Sequence, residues 1–146
     1  MLGFGLKTSR DLLGKLKRDG KLLDDEVTGD RFFNFVITGY HLIDWLKAES
    51  TVNRSDVEAM HTDRGIKVCG DIATACKHFI VTKRKCVTSK VSSQRGYGRG
   101  RYGKGGYGVG EENIVIKLTD GSSFSCLKLV KEVISTWDHF FLSHNL

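Results

Sequence analysis

The sequence predicts an α+β fold: mainly a helical bundle, with a small antiparallel β-sheet carrying a long Gly-rich hairpin before a C-terminal helix. Three observations lead there. Apolar residues recur at helical spacing through the first half of the chain, and no proline interrupts them. After Phe79 the texture changes to short alternating runs typical of strands. The end, SCLKLVKEVISTWDHFFLSHNL, returns to helical spacing. The 146 residues, 40% apolar, fit a single domain over 1–146 that can bury a core, with residues 94–111 expected as a flexible Gly/Tyr/Arg-rich hairpin loop.

In the first segment, SRDLLGKLKRDGKLLDDEV, Leu12, Leu13, Leu16, Leu22 and Leu23 form a helical stripe. Ser9 is available as its N-cap, and Gly20 is a place for a first helix to end. GDRFFNFVITGYHLIDWLKAES is apolar over more than half its circumference, which marks the central, most buried helix; Thr28 or Asp30 can cap it. Ser55 and Glu58 have capping-box spacing for a short helix, and a longer one is expected from Arg64 to Phe79. The expected apolar face of that helix is Val68, Ile72, Ala75, Cys76 and Phe79. Lys67, Asp71, Thr74 and His78 line the opposite side. KCVTSKVSS alternates Cys86, Thr88 and Lys90 against Val87, Ser89 and Val91. NIVIKLTDGSSFSCL sets Ile114, Ile116 and Leu118 on one face, followed by an Asp120-Gly121 hairpin turn. The last helix carries Leu127, Val130, Val133 or Ile134, Trp137 and Phe141 on its apolar side, with Ser125 or Ser123 as cap.

No run approaches the roughly 18 apolar residues of a membrane span, and MLGFGLKTSR lacks the features of a secretory signal. A cytoplasmic address with reduced thiols is expected. Cys69, Cys76, Cys86 and Cys126 are separated by 6, 9 and 39 intervening residues, without the close Cys-x-x-Cys pair of a zinc site. No metal or cofactor is expected. His139 and His144 are expected at the surface where the last helix frays.

The net charge of +6 is placed unevenly. Residues 83–104 hold eight basic side chains and no acidic one, and the rest of the chain has 15 basic against 17 acidic residues, a net of −2. Such a local field attracts nucleic acid or an acidic protein face. Within it lies YGRGRYGKGGYGVGE, three five-residue units that each begin Tyr-Gly. Glycine fills eight of the fifteen positions from Gly96 to Gly110, so ordering this backbone is entropically unfavourable. Aromatics interleaved with arginines are what single-strand binders use, bases stacking on rings and guanidinium groups meeting phosphates. A solvated hairpin tip with tyrosines folded back, and a lid or protein contact, are the other readings of the same composition. No strand-to-helix context or Gly-Lys-Ser/Thr accompanies these glycines, so no nucleotide loop is indicated.

A second constellation is polar. Asn34, His41 and Asp44 share a helix with Trp45, and Asp71, Thr74 and His78 share another. If those helices pack together, His41, Asp44, Asp71 and His78 can converge in a cleft, where a carboxylate would orient an imidazole as a general base. A polar network that fixes helix register makes the same demand on these residues.

The pieces DRFFNFVITGYHLIDWL, KVCGDIATACKHF and TDGSS…VISTWDHFF, together with the Gly/aromatic/Arg run, resemble a family of small bacterial proteins of unknown role associated with mobile DNA, such as phage, integron cassettes and genomic islands. The resemblance runs from about Thr28 to Phe141 and implies no chemistry. A weaker resemblance is to HEPN ribonucleases, helical bundles with an Arg-x4–6-His motif on a late helix. His78 ends GDIATACKH, but Gly70 or Asp71 stands where that arginine is expected, and Arg64 is fourteen residues from His78. The leading expectation is a non-enzymatic accessory protein. It would bind single-stranded RNA or DNA, or an acidic protein, through Arg84, Arg95, Tyr97, Arg99, Arg101, Tyr102, Lys104 and Tyr107, without membrane association. The alternatives are a degenerate HEPN-like ribonuclease using His78 with Asp71 or His41, and a homo-oligomeric protein-interaction module, such as a homodimer.

Overall fold

The structure is a computed structural model describing residues 4–78, 85–95 and 112–146. Among them are five α-helices: α1 (Ser9–Asp25), α2 (Gly29–Glu49), α3 (Arg54–Ala59), α4 (Arg64–His78) and α5 (Cys126–Ser143). A 3-10 turn, Met60–Thr62, links α3 to α4. Strands β1 (Thr88–Arg95), β2 (Glu112–Leu118) and β3 (Ser123–Ser125) form one antiparallel sheet in the order β1-β2-β3, ahead of α5. The fold is α+β, as the hydrophobic pattern predicts.

α1 and α2 form a helical hairpin whose short connection is stabilised by side chains. Thr28 caps α2 by accepting from the Arg31 amide, and the Arg31 guanidinium donates back to the Leu22 and Glu26 carbonyls at the end of α1. α2 is the central helix: Phe32, Phe35, Val36, Leu42, Ile43 and Leu46 are buried. α5 crosses this pair, and the indole of its wholly buried Trp137 donates to the Gly39 carbonyl of α2 at 3.0 Å. The start of α4 is tied to α5 by Arg64, whose Nη2 donates to both carboxylate oxygens of Glu132 at 2.9 and 3.0 Å.

Several local expectations are corrected. Thr8, not Ser9, caps α1, in a capping box with Asp11; Ser9 lies inside the first turn, buried, where its amide and hydroxyl donate to the Glu49 carboxylate. Gly20 does not end α1. A Cβ there would stand 2.8 Å from Ile134 Cδ1 and 2.9 Å from Val130 Cγ1, so the residue marks close approach of α1 to α5. Asn53 rather than Ser55 caps α3, its side chain accepting from the Ser55 amide. Leu22 and Phe33, placed on apolar stripes, are 46% and 43% exposed because the packed faces are narrower than the apolar runs.

The largest correction concerns α4. Its buried side is Gly65, Ile66, Val68, Cys69, Gly70, Asp71 and Ala73, whereas Cys76 is exposed. Of the expected face Val68 is buried, but the contact face is rotated toward Ile66 and Cys69, with Gly65, Gly70 and Ala73 allowing close packing. Phe79, expected on the apolar face, lies outside the described residues. Burial pushes the Cys69 and Cys126 thiols up from their ordinary range, consistent with apolar packing.

The Asp120-Gly121 turn is present, Gly121 at φ +90° and Asp120 accepting from the Ser122 amide and hydroxyl. Ser125 caps α5 through the Lys128 amide. Ile114, Ile116 and Leu118 of β2 all face the core. His144, expected at the surface, is half-buried: its ring stacks on Phe140 at 4.1 Å between centroids, and Nε2 reaches Asp56 at 3.4 Å.

Candidate nucleic-acid interface

β1 and β2, the strands before and after residues 96–111 in the chain, pair from Lys90↔Lys117 to Arg95↔Glu112. Arg95 and Glu112 are the last described residues before and after residues 96–111, and they face each other across the ladder. Their side chains also pair, Arg95 Nη2 to Glu112 Oε2 at 3.1 Å, and Ser93 Oγ donates to the other carboxylate oxygen at 2.6 Å. Arg95 is thus a clasp at the hairpin base that still leaves its side chain largely exposed. Of the other residues named for binding, Arg84, Tyr97, Arg99, Arg101, Tyr102, Lys104 and Tyr107 lie outside the described residues. Among the described residues, Lys85, Lys90 and Lys117 are exposed cations; Lys117 belongs to β2 and sits outside the basic run of the sequence.

The four polar residues considered for catalysis are distributed differently from the predicted cleft. His41 and Asp44 are exposed on α2, and Asp44 lines a groove with Phe4, Leu6, Trp45 and Ala48. His78 is exposed at the last residue of α4. Asp71 is buried, and one oxygen of its carboxylate accepts the Val87 and Thr88 amides, both at 2.9 Å. Asp71 lines a separate groove with Phe32, Phe33, Ile72, Cys76 and Val91. The structure therefore assigns Asp71 to holding the start of β1, and separates it from His41 and Asp44. The helical offset from Lys67 places Asp71 on a polar side, but no local pattern announces two main-chain donors arriving from sixteen residues away.

Among the described residues, no group of three or more His, Cys, Asp or Glu side chains could hold a metal ion, and no helix is long and apolar enough to cross a membrane. No family profile, curated protein or solved structure matches the chain.

Proposed function

We propose that this chain is a small accessory protein that binds single-stranded nucleic acid through its Gly/Tyr/Arg segment, with the helical bundle as scaffold. One observation carries it: eight basic residues and no acidic one between Lys83 and Lys104, with Tyr97 and Tyr102 interleaved and Tyr107 close behind. Cations alone would attract any polyanion. Rings spaced among arginines and glycines favour unpaired bases, each stacked base contributing about 1–3 kcal/mol. The resemblance to proteins associated with mobile DNA is in keeping with a nucleic-acid partner. The paired ends at Arg95 and Glu112 support it further, since a segment anchored on both sides loses less freedom on binding than a free tail.

Fluorescence anisotropy of labelled single-stranded RNA, single-stranded DNA and duplex DNA tests this at several salt concentrations. Single strands are expected to bind more tightly than duplex. The logarithm of affinity should fall with the logarithm of salt at a slope of about −0.7 for each phosphate neutralised. Changing Tyr97, Tyr102 and Tyr107 to Ala together should abolish the preference for single strands while the salt slope stays. Absence of binding to all three nucleic acids, with capture of an acidic protein by the same arginines, would overturn the assignment.

A further inference from the structure

β1 is the outer strand of the sheet: β2 pairs it on one side, and no strand flanks the other among the described residues. The register tells which of its main-chain groups point outward. The Leu118 amide donates to the Ser122 carbonyl, toward the β3 side. Alternation along β2 then turns Lys117, Val115 and Asn113 toward β1, where they meet Lys90, Ser92 and Gln94. Val91, Ser93 and Arg95 are left presenting their amides and carbonyls to the outer edge.

At the start of the strand that edge is already occupied. Asp71 takes the Thr88 amide, while the Val87 carbonyl of the same peptide unit accepts from Thr119 on the opposite side. Asp71 therefore stands where a further strand would lie. Beyond it a groove of about 620 Å³ follows the edge, with Thr88, Ser89, Lys90 and Val91 all lining it. Past the irregularity in the ladder between Thr88 and Lys90, Lys90 and Val91 point to opposite faces, and a groove along the edge is what meets both. Its far wall is apolar: Phe32 and Phe33 of α2, with Ile72 of α4. Phe33 and Val91 are 43% and 39% exposed.

Among the described residues at this edge, Lys85, Lys90 and Lys117 are exposed cations, while the buried Asp71 carboxylate is engaged by the Val87 and Thr88 amides and Glu112 is paired with Arg95. On the outer face of the sheet Lys90 and Lys117 stand directly opposite one another, an unfavourable pairing unless a counter-charge approaches. Val91, opposite buried Ile116, lies on the inner face toward the groove.

We propose that an extended peptide of alternating acidic and apolar residues adds to the outer edge of β1 as a fourth strand. Its apolar side chains settle on Val91, Phe33 and Ile72, and its carboxylates lie on the opposite face beside Lys90 and Lys117. Main-chain hydrogen bonds to Val91 and Ser93 fix its register, the mode by which exposed sheet edges take up peptides. Phe33, Ile72, Lys90, Val91, Ser93 and Lys117 all fall outside the 96–111 segment, and peptide binding there does not depend on that segment binding nucleic acid.

The test is a titration of the full chain against a fluorescent peptide Glu-Val-Glu-Val-Glu-Val, with Lys-Val-Lys-Val-Lys-Val as control. Two further versions carry N-methyl groups, one on every Val and one on every Glu. Only alternate amides of an added strand face its neighbour. One N-methylated version should therefore lose affinity about tenfold while the other binds like the parent, and the lysine peptide should not bind. Val91→Pro, which removes an outward amide and spares the ladder to β2, should weaken the parent peptide to a similar degree. The Arg99→Glu, Arg101→Glu double variant should lose single-stranded RNA and keep peptide affinity within about twofold. Equal binding of both N-methylated peptides, no binding of the parent peptide, or joint loss of peptide and RNA in the double variant would overturn the proposal.

Discussion

β1 and β2 are neighbours in one sheet, yet they are built to different ends. β2 buries Ile114, Ile116 and Leu118 against the helices, whereas no residue of β1 is buried and most are exposed. β2 reads as a half-buried strand, apolar inward and polar outward. β1, TSKVSSQR, has a single apolar residue, Val91, and owes its place to the ladder with β2 and to Asp71 at its start. The chain thus keeps its buried apolar contacts in the helices and β2, and few of them in β1.

Substitutions should separate the two regions sharply. Trp137→Ala removes the largest wholly buried side chain and its hydrogen bond to Gly39, and should cost about 3–5 kcal/mol in urea unfolding. Ile116→Ala, also wholly buried, should cost about 2–5 kcal/mol, while Val91→Ala on the paired strand should stay within about 0.5 kcal/mol. Equal losses at Ile116 and Val91 would erase the distinction between the strands.

Asp71 joins the two regions, so its removal should act between these extremes. Asp71→Ala deprives the Val87 and Thr88 amides of a charged acceptor, a loss of about 1.5–3 kcal/mol. Hydrogen exchange should quicken at Val87 and Thr88 before it does in α2 or α5. His78→Ala, by contrast, should leave both stability and exchange unchanged, because the side chain is exposed at the helix end.

The smallest effect is that of acid. The Lys7 and Thr8 amides and the Thr8 hydroxyl hold the Asp11 carboxyl below its ordinary range, Lys47 does the same for Glu58, and Ser122 for Asp120. A lowered carboxyl contributes stability that is present above the ordinary value of about 4 and is lost as pH falls through the lowered one. Glu58 and Asp120 are exposed and Asp11 is only partly covered, so the decline below about pH 4 should be shallow, and Asp11→Asn should make it shallower still.

What was legible in the sequence follows the range of the interactions. Thr28, Ser125 and the Asp120-Gly121 turn act within a few residues of themselves, and their roles are visible in the local pattern. The apolar period places α2, β2 and α5 because each buries a broad face. Gly20 looks like a helix end until α5 is laid against it. Asp71 looks like one of a polar row until β1 returns to meet it. The groove beside β1 has no sequence signature, since Phe33, Ile72 and Val91 come from three elements and each alone resembles a stray surface apolar residue. The basic Gly/Tyr/Arg segment stands out by composition and needs no fold to be recognised.

The most direct measurement pairs binding with stability in one variant. Arg99→Glu with Arg101→Glu reverses charge inside the basic segment and alters none of the buried core residues. The expected result is loss of single-stranded RNA binding with an unfolding midpoint equal to that of the unaltered chain. RNA binding that persists at full strength in a folded double variant would contradict the assignment of this segment as the grip on nucleic acid.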